Sequence, residues 1–297
     1  MDEIYKSLPP DGHLVIPVSS RRAARVGLSM YTACKPSSRL AQRVAWHAVG
    51  LVGGWILPGR TQAWHPPVDN DIWARLTARW RDELGAFDGA VLHLRRPAYR
   101  AGAAMLLLRD SDPVAFVKLR SDRAEGLDVE RRALSALADA RTGFLAPAPL
   151  AAGSVEGWHY LALSALPARL HSVAQYPPFP ALVDAYGDVL ADVLPRATDT
   201  PPSWRPLHGD LTPWNLRVFD DGRLVLFDWE DASWAPAGAD LQWYDAVVAA
   251  KGLRVRRTGV DHAPEVTAYW VARLEQVVAP GEDSMHARIL QNLRTGA

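Results

Sequence analysis

Residues 208–215 read HGDLTPWN, and LFDWED follows at residues 226–231. Asp210 and Asn215 are five positions apart on one predicted loop, so their side chains can reach adjacent points. The strand-like segments between this loop and Asp228 flank the turn-prone sequence DDG, which predicts a hairpin. Because a short hairpin brings its two ends together, Asp228 is expected to return to the loop. The spacing therefore predicts one cluster of three oxygen-bearing side chains.

Two charged residues lie upstream in a matching order. Lys118 ends the apolar AFVK of a predicted strand, and Glu130 lies on the helical segment that follows it. A strand lysine held by a helical glutamate supplies a fixed cation for phosphate groups, and phosphoryl transfer depends mainly on such positioning. Asp210 in its loop is suited to accept a hydroxyl proton, while Asn215 and Asp228 offer hard oxygen ligands for Mg²⁺.

Neighbouring residues are expected to support this arrangement. His208 is predicted to hold the loop in place through ring hydrogen bonds, and Gly209 to permit a tight backbone. Glu125 on the same helix is the alternative partner for the strand lysine. Glu230 and Asp231 either add a metal contact or are simply solvated.

These segments together resemble a known family. HGDLTPWN and LFDWED, with AFVKLR and ERRALSAL upstream, are similar to the aminoglycoside phosphotransferase and choline kinase family, which has a protein-kinase-like fold. The resemblance covers roughly residues 88–250 and is strongest over 206–231. It implies an α+β protein with two lobes, an antiparallel-sheet N-lobe and a mainly helical C-lobe. It also implies ATP and Mg²⁺ as cofactors and a small-molecule hydroxyl as acceptor.

The same resemblance assigns a role to each matching residue. Asp210 is the implied catalytic base, Asn215 and Asp228 the implied Mg²⁺ ligands, and Lys118 the implied contact to the α and β phosphates, paired with Glu130. The backbone that binds adenine, at the hinge between the lobes, is implied at Ser164, Ala165 and Leu166. Asp240, in GADLQWYD, is similar to the family's structural aspartate.

Two departures from the family pattern bear on substrates. The expected phosphate-covering segment, AYRAGAA, offers a single glycine, Gly102, and ATP is favoured with GTP left open. About 40 residues separate the predicted hinge from His208, fewer than antibiotic kinases of the family carry, so an aminoglycoside acceptor is not favoured. Sugar, amino alcohol, nucleoside and antibiotic hydroxyls all remain open, and a catalytically inactive pseudokinase is the alternative function.

Composition excludes several other classes. The 297-residue chain has a formal net charge of zero, which argues against nucleic acid as a partner. Its single cysteine, Cys34, excludes an internal disulfide framework. The start lacks a secretory pattern, and the longest apolar run, Ala45 to Leu57, is shorter than the roughly 20 residues that span a bilayer. A cytoplasmic protein without a transmembrane segment is expected.

The chain is expected to comprise three parts. Residues 1–85 are predicted as a basic, mostly helical extension, residues 86–167 as the N-lobe and residues 168–297 as the C-lobe. The extension's SRLAQRVAWHAVGLVGGWI segment has two interpretations, an ordinary packed helix or an amphipathic helix on an anionic membrane or a partner protein, and packing is favoured.

Hydrophobic periodicity predicts the elements of the two lobes. In the N-lobe, strands are expected in AVLHLRR, AAMLLLR, PVAFVKLR, LAPAPLAAGSVEG and WHYLALSALP, with a helix over LDVERRALSALADA. In the C-lobe, helices are expected in PALVDAYGDVLADVL, LQWYDAVVAAK, APEVTAYWVARLEQVV and SMHARILQNL.

Overall fold

The computed structural model of the chain describes residues 4–8, 13–94, 102–122, 124–279 and 284–295. It forms two compact units, the first made of Met1–Arg131 and Pro147–His171 and the second of Arg132–Ala146 and Ser172–Ala297. Helices and antiparallel strand pairs occur in both, so the predicted α+β class is confirmed.

The first unit is built on one sheet. Its strands are β1 (Ile4–Leu8), β2 (Leu14–Pro17), β3 (Arg60–Ala63), β4 (Gly89–Leu94), β5 (Gly102–Arg109), β6 (Asp112–Arg120), β7 (Pro149–Val155) and β8 (Trp158–Ser164). Its helices are α1 (Arg21–Ser29), α2 (Pro36–Val52), a 3₁₀ turn (Gly54–Ile56), α3 (Asn70–Leu84) and the start of α4 (Ala124–Ala138). The strand order is β3-β1-β2-β4-β5-β6-β8-β7, and each neighbouring pair is antiparallel.

Apolar residues cover both faces of this sheet. Because successive strand residues point to opposite faces, Val117 and Leu119 of β6 join one core with Trp80 of α3. Phe116 has the opposite parity and packs against the second core, which includes Trp46 of α2. Lys118 shares the parity of Phe116 and, like Arg120 two positions later, is a buried charged residue on this face.

The N-terminal 85 residues differ from the predicted helical extension. The chain begins with strands, and β1, β2 and β3 extend the same sheet as the predicted N-lobe strands. The helices of the segment do form, and the Asp69 side chain accepts a hydrogen bond from the Asp71 N–H at the start of α3. The strands were missed because segments of four or five residues between turn-prone stretches carry too little periodicity to identify them.

The second unit is mainly helical. Its helices are α5 (Phe179–Leu190), α6 (Ala239–Lys251), α7 (Pro264–Glu275) and α8 (Met285–Thr295), each matching a predicted helix. Its strands are β9 (His171–Val173), β10 (Trp204–Leu207), β11 (Leu216–Phe219), β12 (Leu224–Leu226) and β13 (Ser233–Pro236). β11 and β12 are antiparallel and form the predicted hairpin, whereas the short strands β9, β10 and β13 were not predicted.

Within the described residues, no helix is long and apolar enough to cross a membrane. The longest, α2, has 17 residues and carries two arginines in its sequence PSSRLAQRVAWHAVGLV.

Candidate active site

The loop that follows β10 is held by a carboxylate from the first turn of α6. Asp240 is 1% exposed and accepts hydrogen bonds from the backbone N–H of His208 at 2.6 Å and of Gly209 at 3.1 Å. It also accepts one from the Tyr186 hydroxyl at 2.5 Å. Burial raises the pKa of Asp240, and the hydrogen bonds from Tyr186, His208 and Gly209 oppose that rise. Two of these three bonds fix the start of the loop, and the third connects Asp240 to α5, which agrees with the structural role that the resemblance implies for Asp240.

His208 connects the loop to the end of the β11–β12 hairpin. Its Nδ1 accepts a hydrogen bond from the Asp210 N–H at 3.2 Å, so Nε2 carries the proton and donates to the Phe227 carbonyl at 3.1 Å. Burial lowers the pKa of His208, which keeps the ring neutral in this arrangement. These are the bonds expected of a histidine that holds the loop in place and does not act as a catalytic base.

Gly209 explains why the loop can turn so tightly. Its φ is +85°, and a Cβ at this position would collide with the backbone carbonyl of Asp231. Any larger residue would therefore be disfavoured for two reasons, the left-handed backbone conformation and the steric clash with Asp231.

The carboxylate of Asp210 is held by hydrogen bonds at both oxygens. Nδ2 of Asn215 donates to its Oδ2 at 2.9 Å and to its backbone carbonyl, also at 2.9 Å. Nε1 of Trp243, on α6, donates to Oδ1 at 3.2 Å. Trp243 is itself fixed by stacking on Trp270, with ring centroids 4.5 Å apart. Asp210 therefore has a defined orientation.

Asp228 follows the hairpin with a left-handed backbone, φ +74°. Few non-glycine residues adopt this conformation, and such outliers occur disproportionately at functional sites. The other described non-glycine residues with positive φ are Asp110, Ser111 and Glu156, which lie in turns between paired strands. Burial raises the pKa of Asp210 well above its usual value, and the negative charge of the neighbouring Asp228 raises it further.

The second unit thus brings together the three predicted oxygen-bearing residues. Both hydrogen bonds of the Asn215 amide use its nitrogen, so its oxygen is the end suited to a metal. That oxygen and the Asp228 carboxylate are the hard ligands that Mg²⁺ prefers, and the crowding of Asp228 with Asp210 favours a cation. The residues fit the expected metal. Glu230, which the sequence left open as a solvated acid, is buried at 5% exposure.

In the first unit, Lys118 and Glu130 form the predicted pair. Nζ of Lys118 lies 2.8 Å from Oε1 and 2.7 Å from Oε2 of Glu130, and the two side chains are 6% and 0% exposed. Replacing such a buried pair by apolar residues is often neutral or stabilising, so the pair is weak evidence for a purely structural role. These distances identify Glu130, and not the other candidate Glu125, as the residue of α4 that contacts the lysine.

The predicted adenine-binding segment begins at the end of β8. The Ser164 N–H donates to the Ala148 carbonyl at 2.7 Å, and the Ser164 hydroxyl accepts from the Ala148 N–H at 2.8 Å. Ser164 is thus engaged with its own unit. Ala165 and Leu166 follow outside the strand and are partly exposed.

The expected phosphate-covering segment falls mostly on residues 95–101, which lie outside the described residues. Its glycine, Gly102, is the first residue of β5, and a Cβ there would lie 2.5 Å from the carbonyl oxygen of Leu119 on β6. The glycine is accounted for by this close approach of two strands.

Comparisons with known proteins agree with this geometry. The model of the "Phosphotransferase enzyme family" matches residues 189–262, which contain the loop, the hairpin and α6. No curated protein matches the sequence.

Solved structures match a larger share of the chain. A thermostable mutant of the aminoglycoside phosphotransferase APH(4)-Ia, in complex with ADP and hygromycin B, matches with a TM-score of 0.51 at 13% identity, over 74% of this chain and 98% of that one. Amicoumacin kinase hAmiN, in complex with AMP-PNP, Ca²⁺ and Ami, matches with a TM-score of 0.50 at 9% identity, over 78% of this chain and 95% of that one.

These matches confirm the resemblance to the phosphotransferase family that the sequence predicted, and at such identities they show the fold. Two contacts of the site were not predicted. Tyr186 lies 54 positions from Asp240, and nothing in the sequence connects them. Trp243 lies 33 positions from Asp210, and nothing in the sequence identifies it as a hydrogen-bond donor to that carboxylate.

Proposed function

We propose that the protein is an ATP- and Mg²⁺-dependent phosphotransferase that transfers the γ-phosphoryl group to a hydroxyl of a small molecule. The observation that carries the proposal is the Asp210 carboxylate, held at one oxygen by Asn215 and at the other by Trp243, beside the left-handed Asp228. A carboxylate fixed in this way can face one particular hydroxyl.

In this reaction Asp210 orients the acceptor hydroxyl and takes its proton. As the acceptor oxygen bonds to the γ-phosphorus, the bond from that phosphorus to the β–γ bridging oxygen breaks, and ADP leaves. Each Asp210 oxygen accepts one hydrogen bond within the protein and keeps lone-pair capacity for the incoming hydroxyl. Mg²⁺, held by Asn215 and Asp228, would neutralise phosphate charge.

We assign nucleotide binding to residues of the first unit. Lys118 contacts the α and β phosphates, and Glu130 fixes the lysine at both carboxylate oxygens. Because the Ser164 N–H is already bonded to Ala148, adenine recognition by Ser164, Ala165 and Leu166 rests mainly on the backbone of the last two. The ADP and AMP-PNP in the structures of similar fold support an adenine nucleotide.

The acceptor belongs to the class of small molecules with a free hydroxyl. Hygromycin B accompanies ADP in one of the similar structures, which supports a small acceptor. Sugars, amino alcohols, nucleosides and antibiotics all offer such a hydroxyl, and an acceptor screen should include all four.

The test is nucleotide binding followed by turnover. Calorimetry should show Mg²⁺-dependent ATP binding that Asp228→Ala loses, and ADP release with an accepted hydroxyl compound should fall roughly 10³-fold or more in Asp210→Asn. Asp210→Asn should retain nucleotide binding. Asp220→Asn, at an exposed position in the hairpin turn, is the matched control and should behave as the wild type.

A catalytically inactive pseudokinase is the alternative. It is favoured if Mg²⁺-dependent nucleotide binding is present but none of the four acceptor classes stimulates ADP release. Full activity of Asp210→Asn would remove the assigned base, and Mg²⁺-dependent binding that persists in Asp228→Ala would remove the metal assignment.

A further inference from the structure

Helix α2 has two apolar faces, and one of them is exposed. Trp46 and Val49 are buried in the core of the first unit, at 6% and 0% exposure. On the opposite side, Leu40, Val44 and Leu51 are 66%, 60% and 75% exposed. Their spacings of four and seven residues place them in one stripe.

The exposed stripe continues beyond the end of the helix. Trp55, in the 3₁₀ turn that follows, is 68% exposed, and Val52 at the end of α2 is 49% exposed. We call Leu40, Val44, Leu51 and Trp55 the α2 outer face. Four large apolar side chains exposed together on α2 and the turn that follows it differ from the scattered exposed apolar residues of an ordinary surface.

The sequence around this face is uniformly basic. No aspartate or glutamate occurs from residue 12 to residue 68, a stretch that contains Arg21, Arg22, Arg25, Lys35, Arg39, Arg43 and Arg60. Lys35 and Arg43 are exposed on α2 or directly before it. An amphipathic helix with exposed apolar residues and flanking cations has the composition of an interfacial membrane helix.

A basic pocket adjoins the helix. A cavity of about 550 Å³ is lined by Arg21, Arg22 and Arg25 of α1 together with Trp46 and Gly50 of α2. Arg22 is paired with Asp112, which also lines the cavity, and the Arg25 guanidinium lies 4.5 Å from the centre of the Trp46 ring. Nε of Arg25 is buried with no hydrogen-bond partner among the described residues.

We propose that the α2 outer face and this basic pocket dock on an anionic phospholipid surface. The apolar side chains would enter the boundary between head groups and acyl chains, and the pocket would take a head-group phosphate, for which the Arg21 and Arg25 side chains in its lining offer donors. Charge complementarity selects lipid over a second copy of the chain, because a two-fold contact would place the basic segment 12–68, which contains no aspartate or glutamate, against itself.

The full chain should be sedimented with vesicles of phosphatidylcholine alone and of phosphatidylcholine with one third phosphatidylglycerol. We expect binding to the anionic vesicles, weakened by raising the salt concentration well above about 0.1 M. Arg43→Gln and Arg21→Gln should each weaken binding about fivefold. Leu51→Ser and Trp55→Ser should each weaken it by a similar or larger factor, about fivefold to tenfold.

Two control variants match these changes elsewhere on the surface. Tyr176→Ser removes an apolar side chain that is 78% exposed, and Arg205→Gln removes an exposed arginine of β10. Both should bind vesicles as the wild type does. Equal binding to neutral and anionic vesicles, or unchanged binding of the four test variants, would overturn the proposal. So would a dimer in light scattering that Leu51→Ser converts to a monomer, since a second copy would then cover the face.

Discussion

Helix α6 carries two carboxylates five residues apart, and each fixes a different loop. Asp240 binds the backbone of His208 and Gly209 in the candidate active site. Asp245 accepts hydrogen bonds from the Thr258 backbone N–H at 2.7 Å, from the Thr258 hydroxyl and from His262 at 3.2 Å, in the segment between α6 and α7.

The two carboxylates differ in how much water reaches them. Asp240 is 1% exposed, and its burial raises its pKa. The Asp245 side chain is 14% exposed. Burial alone would raise its pKa as well, but hydrogen bonds from His262 and Thr258 outweigh that effect and lower it. Two aspartates of one helix therefore fix loops under different conditions. Asp240 does so at a cost in desolvation, whereas Asp245 remains in reach of water.

Replacing Asp240 by alanine should have the largest effect. It would leave the N–H groups of His208 and Gly209 buried without acceptors, at about 1 to 3 kcal/mol each, so we expect a loss of about 3 kcal/mol or more in the free energy of unfolding. Urea denaturation measures it. Asp245→Ala is the paired variant and should cost less than half as much, and equal losses would mean that burial does not distinguish the two sites.

A smaller effect is expected when one donor to each carboxylate is removed. Tyr186→Phe deletes the hydroxyl that bonds to Asp240 but keeps the fully buried ring packed on Trp229, at a centroid distance of 5.3 Å. We expect a loss of about 1.5 kcal/mol, because hydrogen bonds to charged groups contribute about 1.5 to 3. Thr258→Val removes the hydroxyl donor to Asp245 and should cost under about 1 kcal/mol. A larger loss in the free energy of unfolding for Thr258→Val than for Tyr186→Phe would contradict this prediction.

The smallest effect, Asp245→Asn, should depend on pH. A carboxylate whose pKa is lowered on folding stabilises the protein above its unfolded-state pKa, about 3.9 for aspartate, and this contribution disappears as the pH falls through the folded-state pKa. We therefore expect a loss of about 0.5 kcal/mol at pH 7 that shrinks at acid pH. Urea midpoints measured across the pH range, with the exposed Asp199→Asn as control, would test this. A difference from wild type that stayed constant down to acid pH would contradict it.

Local spacing made much of the candidate site predictable. His208, Asp210 and Asn215 lie within eight consecutive residues, and the hairpin that returns Asp228 is itself marked by the turn sequence DDG. The Lys118–Glu130 pair spans 12 positions across one strand and one helix, a connection that the order of elements predicts. The contacts of Tyr186 and Trp243 with the site depend on tertiary packing over 54 and 33 positions, and no local pattern records them.

The fold was predicted where its periodic segments are long. The strands from β4 to β8 and the helices from α3 to α8 each span at least six residues with a clear apolar period. By contrast, β1 and β2 have five and four residues. Besides each other, β1 pairs with β3 and β2 pairs with β4, and both of these partners are distant in sequence, as when Val15 pairs with Leu92. Short strands of this kind are specified by the neighbour that they pair with more than by their own residues.

The pairing of β2 with β4 also decides where the chain can be shortened. Leu14 and Val15 lie opposite His93 and Leu92, and the Leu94 N–H donates to the His13 carbonyl at 2.8 Å. A fragment starting near residue 86, where the predicted N-lobe begins, would lack β2 and leave β4 as an unpaired edge strand. Other chains could pair with such an edge by strand addition. The first 85 residues therefore protect the sheet against intermolecular pairing, and an expression boundary placed after them would produce an aggregation-prone protein.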